Sequence, residues 1–298
     1  MQATGSLAAL SAPSKIRLAT SGFIWQNDIE TGIRDTARFG FRGIEPFRQH
    51  LMKYLGRPGD LKRQLDAAGV ALVTCSNGGA GMSTNFIDKA EASRSIDDHE
   101  TFARDFIAHF GAKHFKINCG RRPPTPVSDE QLKNIAECFN QLGRRIARYG
   151  LKLAPHPHIW SPVERESEVR RVMELTDPKY VGMVADTAHL TLGGMDPLQI
   201  IRDFYPRVTA VHFKDTDARY RGFRGPTPTQ EEHRKVNLYK NIGAGGVDFP
   251  RIMQLLETRG FDGWITLDLD PPRPGDGTID ENLEINRKYL VNRLGFKL

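Results

Sequence analysis

Short runs of β-forming residues that end in polar side chains recur along the chain. They lie at 16–25 (IRLATSGFIW), 43–47 (GIEPF), 70–76 (VALVTCS), 113–118 (KHFKIN), 151–158 (LKLAPHPH), 181–189 (VGMVADTAH), 208–215 (VTAVHFKD) and 264–270 (WITLDLD). Between most of them apolar residues recur at helical spacing, as in DIETGIRDTARFG, GDLKRQLDAAG, SDEQLKNIAECFNQLGRRIARYG and SEVRRVMEL. Several of these segments close on the glycine or Asp-Pro expected past a helix end, at Gly40, Gly69, Gly150 and Asp177-Pro178. Strand alternating with helix predicts an α/β fold with a parallel sheet. Eight repeats in 298 residues fit a single closed (β/α)8 barrel better than an open doubly wound sheet. The barrel is expected to occupy 15–298 without a domain boundary, behind a flexible segment at 1–14.

One stretch breaks the pattern. From Asp215 to Gly246 the chain reads DTDARYRGFRGPTPTQEEHRKVNLYKNIGAGG, rich in Arg, Gly, Pro and aromatics and poor in periodicity. Irregular segments this long in compact domains are commonly lids or binding loops. Residues 216–246 are therefore expected to form a lid or insertion, the bland alternative being a solvated loop.

Composition changes this picture little. The net charge is +6, but the 42 basic and 36 acidic residues are interleaved, which describes a mixed-sign surface and gives no nucleic-acid footprint. A basic site for an anionic substrate stays open. Cys75, Cys119 and Cys138 are odd in number and lack metal-type spacing, so a reducing, cytoplasmic setting is expected. No stretch of ~18 apolar residues predicts a membrane span.

Chemistry is expected where barrel strands end, because the C-terminal rim of a parallel α/β barrel carries the active site. Polar residues concentrate there: Glu45, Lys116 and Asn118, His156 and His158, Asp186 and His189, His212 with Lys214 and Asp215, and Asp268 and Asp270. Two imidazoles and two carboxylates from four successive strands would converge on one divalent ion. Mixed N and O ligation suits Mn²⁺ or Co²⁺ best, with Fe²⁺, Zn²⁺ and Mg²⁺ as further options. Residues two apart share a face of a strand, so His156 and His158 compete for one ligand position, as do Asp268 and Asp270. Lys116 and Lys214 read either as counter-charges or as desolvated bases touching substrate, and His189 either as a helix cap or as a group beside the metal.

The segments LKLAPHPH, LTDPKYVGMVADTAHLTLGGMDPLQII, VTAVHFKD and GAGGVDFPRIMQLLETRGFDGWITLDLD resemble the xylose isomerase-like barrel superfamily, and the likeness runs from about Ile16 to Leu290. His-Pro-His at the end of the fifth run is similar to inosose dehydratase-like members. The resemblance implies metal ligands at His156, Asp186, His212 and Asp268, the last standing where the family normally has Glu. It also implies that epimerases and ketose isomerases present a Glu at the position of His156. Without that glutamate pair, two-base epimerisation is disfavoured, and His158, His189 or a lysine is expected to move the proton.

The reading that follows is a metal-assisted lyase of the inosose dehydratase kind. Proton abstraction next to a carbonyl of a sugar or cyclic polyol would be followed by β-elimination, with His158, His189, Lys116 and Lys214 catalytic. Glu45, Asn118, Asp270, Trp25, Trp160, Arg219 and Arg224 are expected to meet substrate, the arginines as a clamp for phosphate or carboxylate. The alternatives are a sugar isomerase or epimerase, a hydrolase of the endonuclease IV branch with more ligands than can be placed here, and a non-catalytic sugar- or partner-binding barrel. A homo-oligomer is compatible with all of them.

Overall fold

The structure, a computed structural model, describes residues 15–298, so the segment expected to be flexible at 1–14 lies outside it. Ten strands are present: β1 (Arg17–Ser21), β2 (Gly43–Glu45), β3 (Ala71–Leu72), β4 (His114–Ile117), β5 (Lys152–Pro155), β6 (Met183–Asp186), β7 (Val208–Phe213), β8 (Asp215–Thr216), β9 (Tyr239–Lys240) and β10 (Trp264–Leu267). Ten α-helices accompany them: α1 (Ile29–Arg38), α2 (Pro58–Ala68), α3 (Ala92–Asp105), α4 (Asp129–Ile146), α5 (Glu166–Leu175), α6 (Thr187–Leu192), α7 (Pro197–Asp203), α8 (Gln230–Lys235), α9 (Phe249–Thr258) and α10 (Ile279–Leu294). Every expected run contains a strand, the run at 208–215 also reaching the first residue of β8, and β8 and β9 form an extra antiparallel pair.

The large sheet is parallel, in the order β3-β2-β1-β10-β7-β6, and β4 pairs with β5. Two seams join these ladders. Between β5 and β6 the backbone N–H of Gly182 donates to Leu153 O at 2.7 Å. Between β3 and β4 side chains replace the ladder. Thr74 Oγ1 accepts the Lys116 N–H at 3.0 Å, and Asn77 Oδ1 accepts the Asn118 N–H at 2.7 Å. The Asn77 amide returns a bond to Asn118 O at 3.0 Å.

Helix α4 shows how the outer layer is specified. Ser128 and Gln131 form a reciprocal capping box, and Leu132, Ile135, Ala136, Phe139, Leu142, Gly143 and Ile146 recur at three and four residues and are buried. Each large side chain buried in this way contributes roughly 1.5–3 kcal/mol.

Inside the barrel, strand alternation builds layers. Ala154, Val184 and Ala210 pack as a lower layer with Trp264 against them. Gly43 makes room for that indole, since a Cβ there would meet the Trp264 ring at 2.7 Å. Two residues further along the same strands stand His156, Asp186 and His212, at the rim above this apolar floor.

Segment 216–246 carries secondary structure of its own. It contains β9, α8 and a 3-10 turn at Ala218–Tyr220. Asp215 anchors it by accepting backbone N–H bonds from Thr216, Gly243, Gly245 and Val247 at 2.8–3.0 Å. The approach is tight enough that a Cβ on Gly245 would sit 1.7 Å from Thr216 O. Trp160 Nε1 donates to Pro228 O at 2.7 Å and Arg273 Nη1 donates to His233 O at 2.7 Å, which fastens the segment to the β5–α5 and β10–α10 connections. Among the described residues no helix is long and apolar enough to cross a membrane.

Candidate metal centre

Asp186 and His212 are lateral partners on β6 and β7, and the His156 N–H continues the β4–β5 ladder by donating to Ile117 O at 2.9 Å. This register brings one ligand-type atom from each of His156, Asp186 and His212 within 4.8 Å of the others. All three residues are buried. Asp186 ends its strand as the N-cap of α6, where Oδ1 accepts the Ala188 and Ala-following His189 N–H groups at 2.9 Å each. Its Oδ2 is left 3.5 Å from both His156 Nε2 and His212 Nδ1.

Both imidazoles are oriented from behind. Asn118 Oδ1 lies 3.0 Å from His156 Nδ1, and Glu45 Oε2 lies 3.0 Å from His212 Nε2. Each partner can only accept there, so each fixes the tautomer whose free nitrogen points at Asp186. His156 Nε2 and Asp186 Oδ2 are buried and have no hydrogen-bond partner. Buried polar atoms are seldom left so, and two aimed at one point fit a metal ion. Charge agrees with this. Glu45, Asp186, Asp268 and Asp270 are four carboxylates set against Lys116, Lys214 and His212, so negative charge stays in excess and favours a cation, the more so once a bound ion displaces the His212 proton.

The titration behaviour follows from the same contacts. Burial, joined by the Lys116 charge, lowers the His156 pKa to about 3, so its ring is neutral and able to ligate. Burial also opposes charge on His212, but Glu45 outweighs it and raises that pKa to about 10. A bound cation would compete with this proton at Nδ1. Burial works against the Asp186 carboxylate, yet the surrounding histidines hold its pKa well below the usual range.

The fourth expected ligand stands beside this group and outside it. Asp268 Oδ2 is 3.2 Å from His212 Nδ1, and its Oδ1 is 3.6 Å from Lys214 Nζ. Lys214 also bonds Asp270 at 2.6 Å. Burial lowers its pKa, but these two aspartates outweigh that and raise it well above 10.5, which favours the charged form of Lys214.

Among the expected proton movers, the His158 and His189 rings lie with centroids 3.6 Å apart and their planes tilted by 35°, both within 5.5 Å of the His156 ring. His158 is half-buried and its Nδ1 faces Ile159 O, so its Nε2 is the free nitrogen. Burial lowers its pKa and keeps the ring neutral. His189 is deeper, with Nδ1 3.5 Å from Tyr239 Oη.

Several expected substrate residues lie elsewhere. Glu45 has no exposed surface, and its carboxylate is occupied by His212, Lys116 at 2.6 Å and Thr266, so it braces the site from beneath. Trp25 is a core residue whose Nε1 donates to Asp35 at 3.0 Å, with its ring against Gly32. Asn118 is committed to His156. Arg219 pairs with Asp217 at 3.5 Å and is exposed, and Arg224 bonds its neighbour Phe223 O. Trp160 and Asp270 do lie at the rim.

Sequence reasoning overlooked Tyr239, which β9 delivers beside His189 and under Lys214 Nζ, 4.3 Å from its ring centroid. The alternation in VNLY, within a polar stretch, was the available signal. Tyr239, Asp268, Asp270 and Asn241 line a cleft of about 230 Å³ between segment 216–246 and the β10–α10 connection.

Comparisons with known proteins give the family and the fold. The inosose dehydratase of Clostridium beijerinckii is 24% identical over 314 aligned positions, covering 95% of this chain and 98% of that protein. The inosose dehydratase of Lacticaseibacillus casei is 30% identical over 172 positions, so the chain spans about half of that relative, 55% of each. Among solved structures, the IOLI protein with a bound zinc atom superposes with a TM-score of 0.75 at 17% identity, covering 95% of this chain and all (100%) of that one. The 3-keto-D-glucoside 4-epimerase of E. coli gives 0.69 at 18% identity, covering 91% and 97%. The family profile described as xylose isomerase-like TIM barrel matches residues 33–289, most of the β/α array built around His156, Asp186 and His212, and the chain therefore belongs to that family.

Proposed function

We propose that the protein is a divalent-metal-dependent enzyme acting on a keto-sugar or cyclic polyol. It removes the proton next to a carbonyl and then eliminates water, the reaction class named in its inosose dehydratase relatives. The observation that carries this reading is the pair of unpartnered buried atoms, His156 Nε2 and Asp186 Oδ2, aimed with His212 at one point. Two imidazoles and a carboxylate suit Mn²⁺, Co²⁺, Fe²⁺ or Zn²⁺, with Asp268 close enough to complete the set. When bound, the ion supplies positive charge for the oxygen that becomes anionic as the neighbouring carbon loses its proton.

The chain's own residues divide the remaining work. His158, neutral and with Nε2 free, takes the proton from carbon. His189 packs against it and restricts the motion of the ring. The proton that His158 takes is returned to the leaving hydroxyl, which departs as water, and Lys214, held charged by Asp268 and Asp270, stabilises the negative charge that develops there. Lys116 stays on Glu45, which holds His212 in its ligating tautomer. Trp160, Tyr239 and the lid exclude bulk water, which strengthens each of these charge interactions.

The test is metal analysis with activity on an inosose. Chelator treatment is expected to abolish water loss, Mn²⁺ or Co²⁺ to restore it, and Asp186→Ala to prevent both metal retention and turnover. Full activity of metal-stripped protein refutes the proposal. Incorporation of solvent deuterium without loss of water assigns isomerisation or epimerisation instead.

A further inference from the structure

The lid arginines are not drawn into the metal centre, yet they are not scattered either. Arg221 and Arg224 of the lid and Arg251 of α9 line one cavity of about 170 Å³. It shares no lining residue with the cleft beside Asp268. It is far larger than the ~15 Å³ that one water molecule requires.

Among the described residues none of these three guanidinium groups forms an ion pair. Arg221 donates to Gly245 O at 3.2 Å and Arg224 to Phe223 O at 2.9 Å, which leaves most of their five N–H donors free. Neighbouring Arg219 pairs with Asp217 instead. Two carboxylates do border the cavity, but each caps its own helix. Asp196 accepts the Leu198 N–H at 2.9 Å and Asp248 the Arg251 N–H at 3.2 Å. The α9 cap is thereby satisfied, so recognition of a ligand falls to the side chains.

Forked guanidinium donors without a protein acceptor bind oxyanions, and Arg does so bidentately. A planar carboxylate offers two oxygens, too few for three such groups, whereas a tetrahedral phosphate can engage all three. We propose that Arg221, Arg224 and Arg251 form a binding site for a phosphate-type oxyanion, distinct from the metal centre. Because two of the arginines sit on the lid and one on the barrel, the bound anion ties the lid to α9.

Isothermal titration of the metal-loaded full chain with inorganic phosphate at low ionic strength tests this. Saturable, salt-sensitive binding is expected. The double variant Arg224→Gln/Arg251→Gln should weaken it at least tenfold, and Arg63→Gln on α2 should leave it unchanged. Phosphate should also slow chymotryptic cleavage at Tyr220 and Phe223 in the parent protein and not in the double variant. A sugar phosphate binding much more tightly than inorganic phosphate to the parent alone identifies a phosphorylated metabolite as the source, and equal affinity identifies free phosphate. Absence of saturable binding overturns the proposal, as does equal binding by the double variant, which would place the anion on the metal.

Discussion

Replacing Asn118 with Ala isolates what the support behind a ligand contributes. Asn118 touches His156 through one 3.0 Å contact, from its Oδ1 to the ring Nδ1–H, and the truncation leaves that donor without its acceptor. A buried N–H left unsatisfied costs ~1–3 kcal/mol, and loss of such a partner weakens metal binding by roughly 10–100-fold. Asn118 is half-buried, so water can fill part of the space, which points to the lower end, about 10–30-fold or ~1.4–2 kcal/mol. Competition with a chromogenic chelator measures the affinity directly, and Asn118→Asp, which restores an acceptor, should recover most of it. An Ala variant within twofold of the parent, or an Asp variant as weak as Ala, refutes the role assigned to this contact.

His99 should make the fold acid-sensitive. Burial lowers its pKa from 6.5 to about 4, with Asn77 donating to Nε2 and Nδ1 facing Ser95 O. The folded value lies below the unfolded one, so stability is full above pH ~6.5 and is lost as pH falls towards 4. Urea unfolding at pH 8 and pH 5 should differ by ~2 kcal/mol from this residue, and an unchanged slope in His99→Gln contradicts it. Asp215→Ala strips four backbone N–H groups of their acceptor, so cleavage within 216–246 by chymotrypsin should quicken at least tenfold while far-UV dichroism is kept. Parent-like cleavage would show that segment 216–246 is held by other contacts.

Much of the barrel could be read from the chain because buried parallel strands and amphipathic helices leave strong periodic signals. The strands proved shorter than their apolar runs for local reasons. Residues 70–76 give only Ala71–Leu72 as strand, since beyond it Thr74 and Asn77 bond β4 through side chains, which periodicity cannot register. Trp25 follows β1 at the end of a 3-10 turn that aims its indole at Asp35. Asp186 and His212 were legible from strand ends. The choice between His156 and His158 was not, since both share a strand face, and the structure groups His156 with Asp186 and His212. Glu45 was misjudged because a polar strand end looks the same whether it faces substrate or braces a ligand from below.

The seam between β3 and β4 bears on how this site can change. Ladder bonds belong to the backbone and survive almost any substitution, whereas Thr74 and Asn77 hold their seam through atoms that one codon can erase. Asn77 grips the backbone of Asn118, whose side chain aims His156. The direction of a ligand on β5 is thus adjustable in small steps from positions ~80 residues away in sequence that touch neither ion nor substrate. Selection acting there could retune the metal centre while leaving every coordinating residue in place.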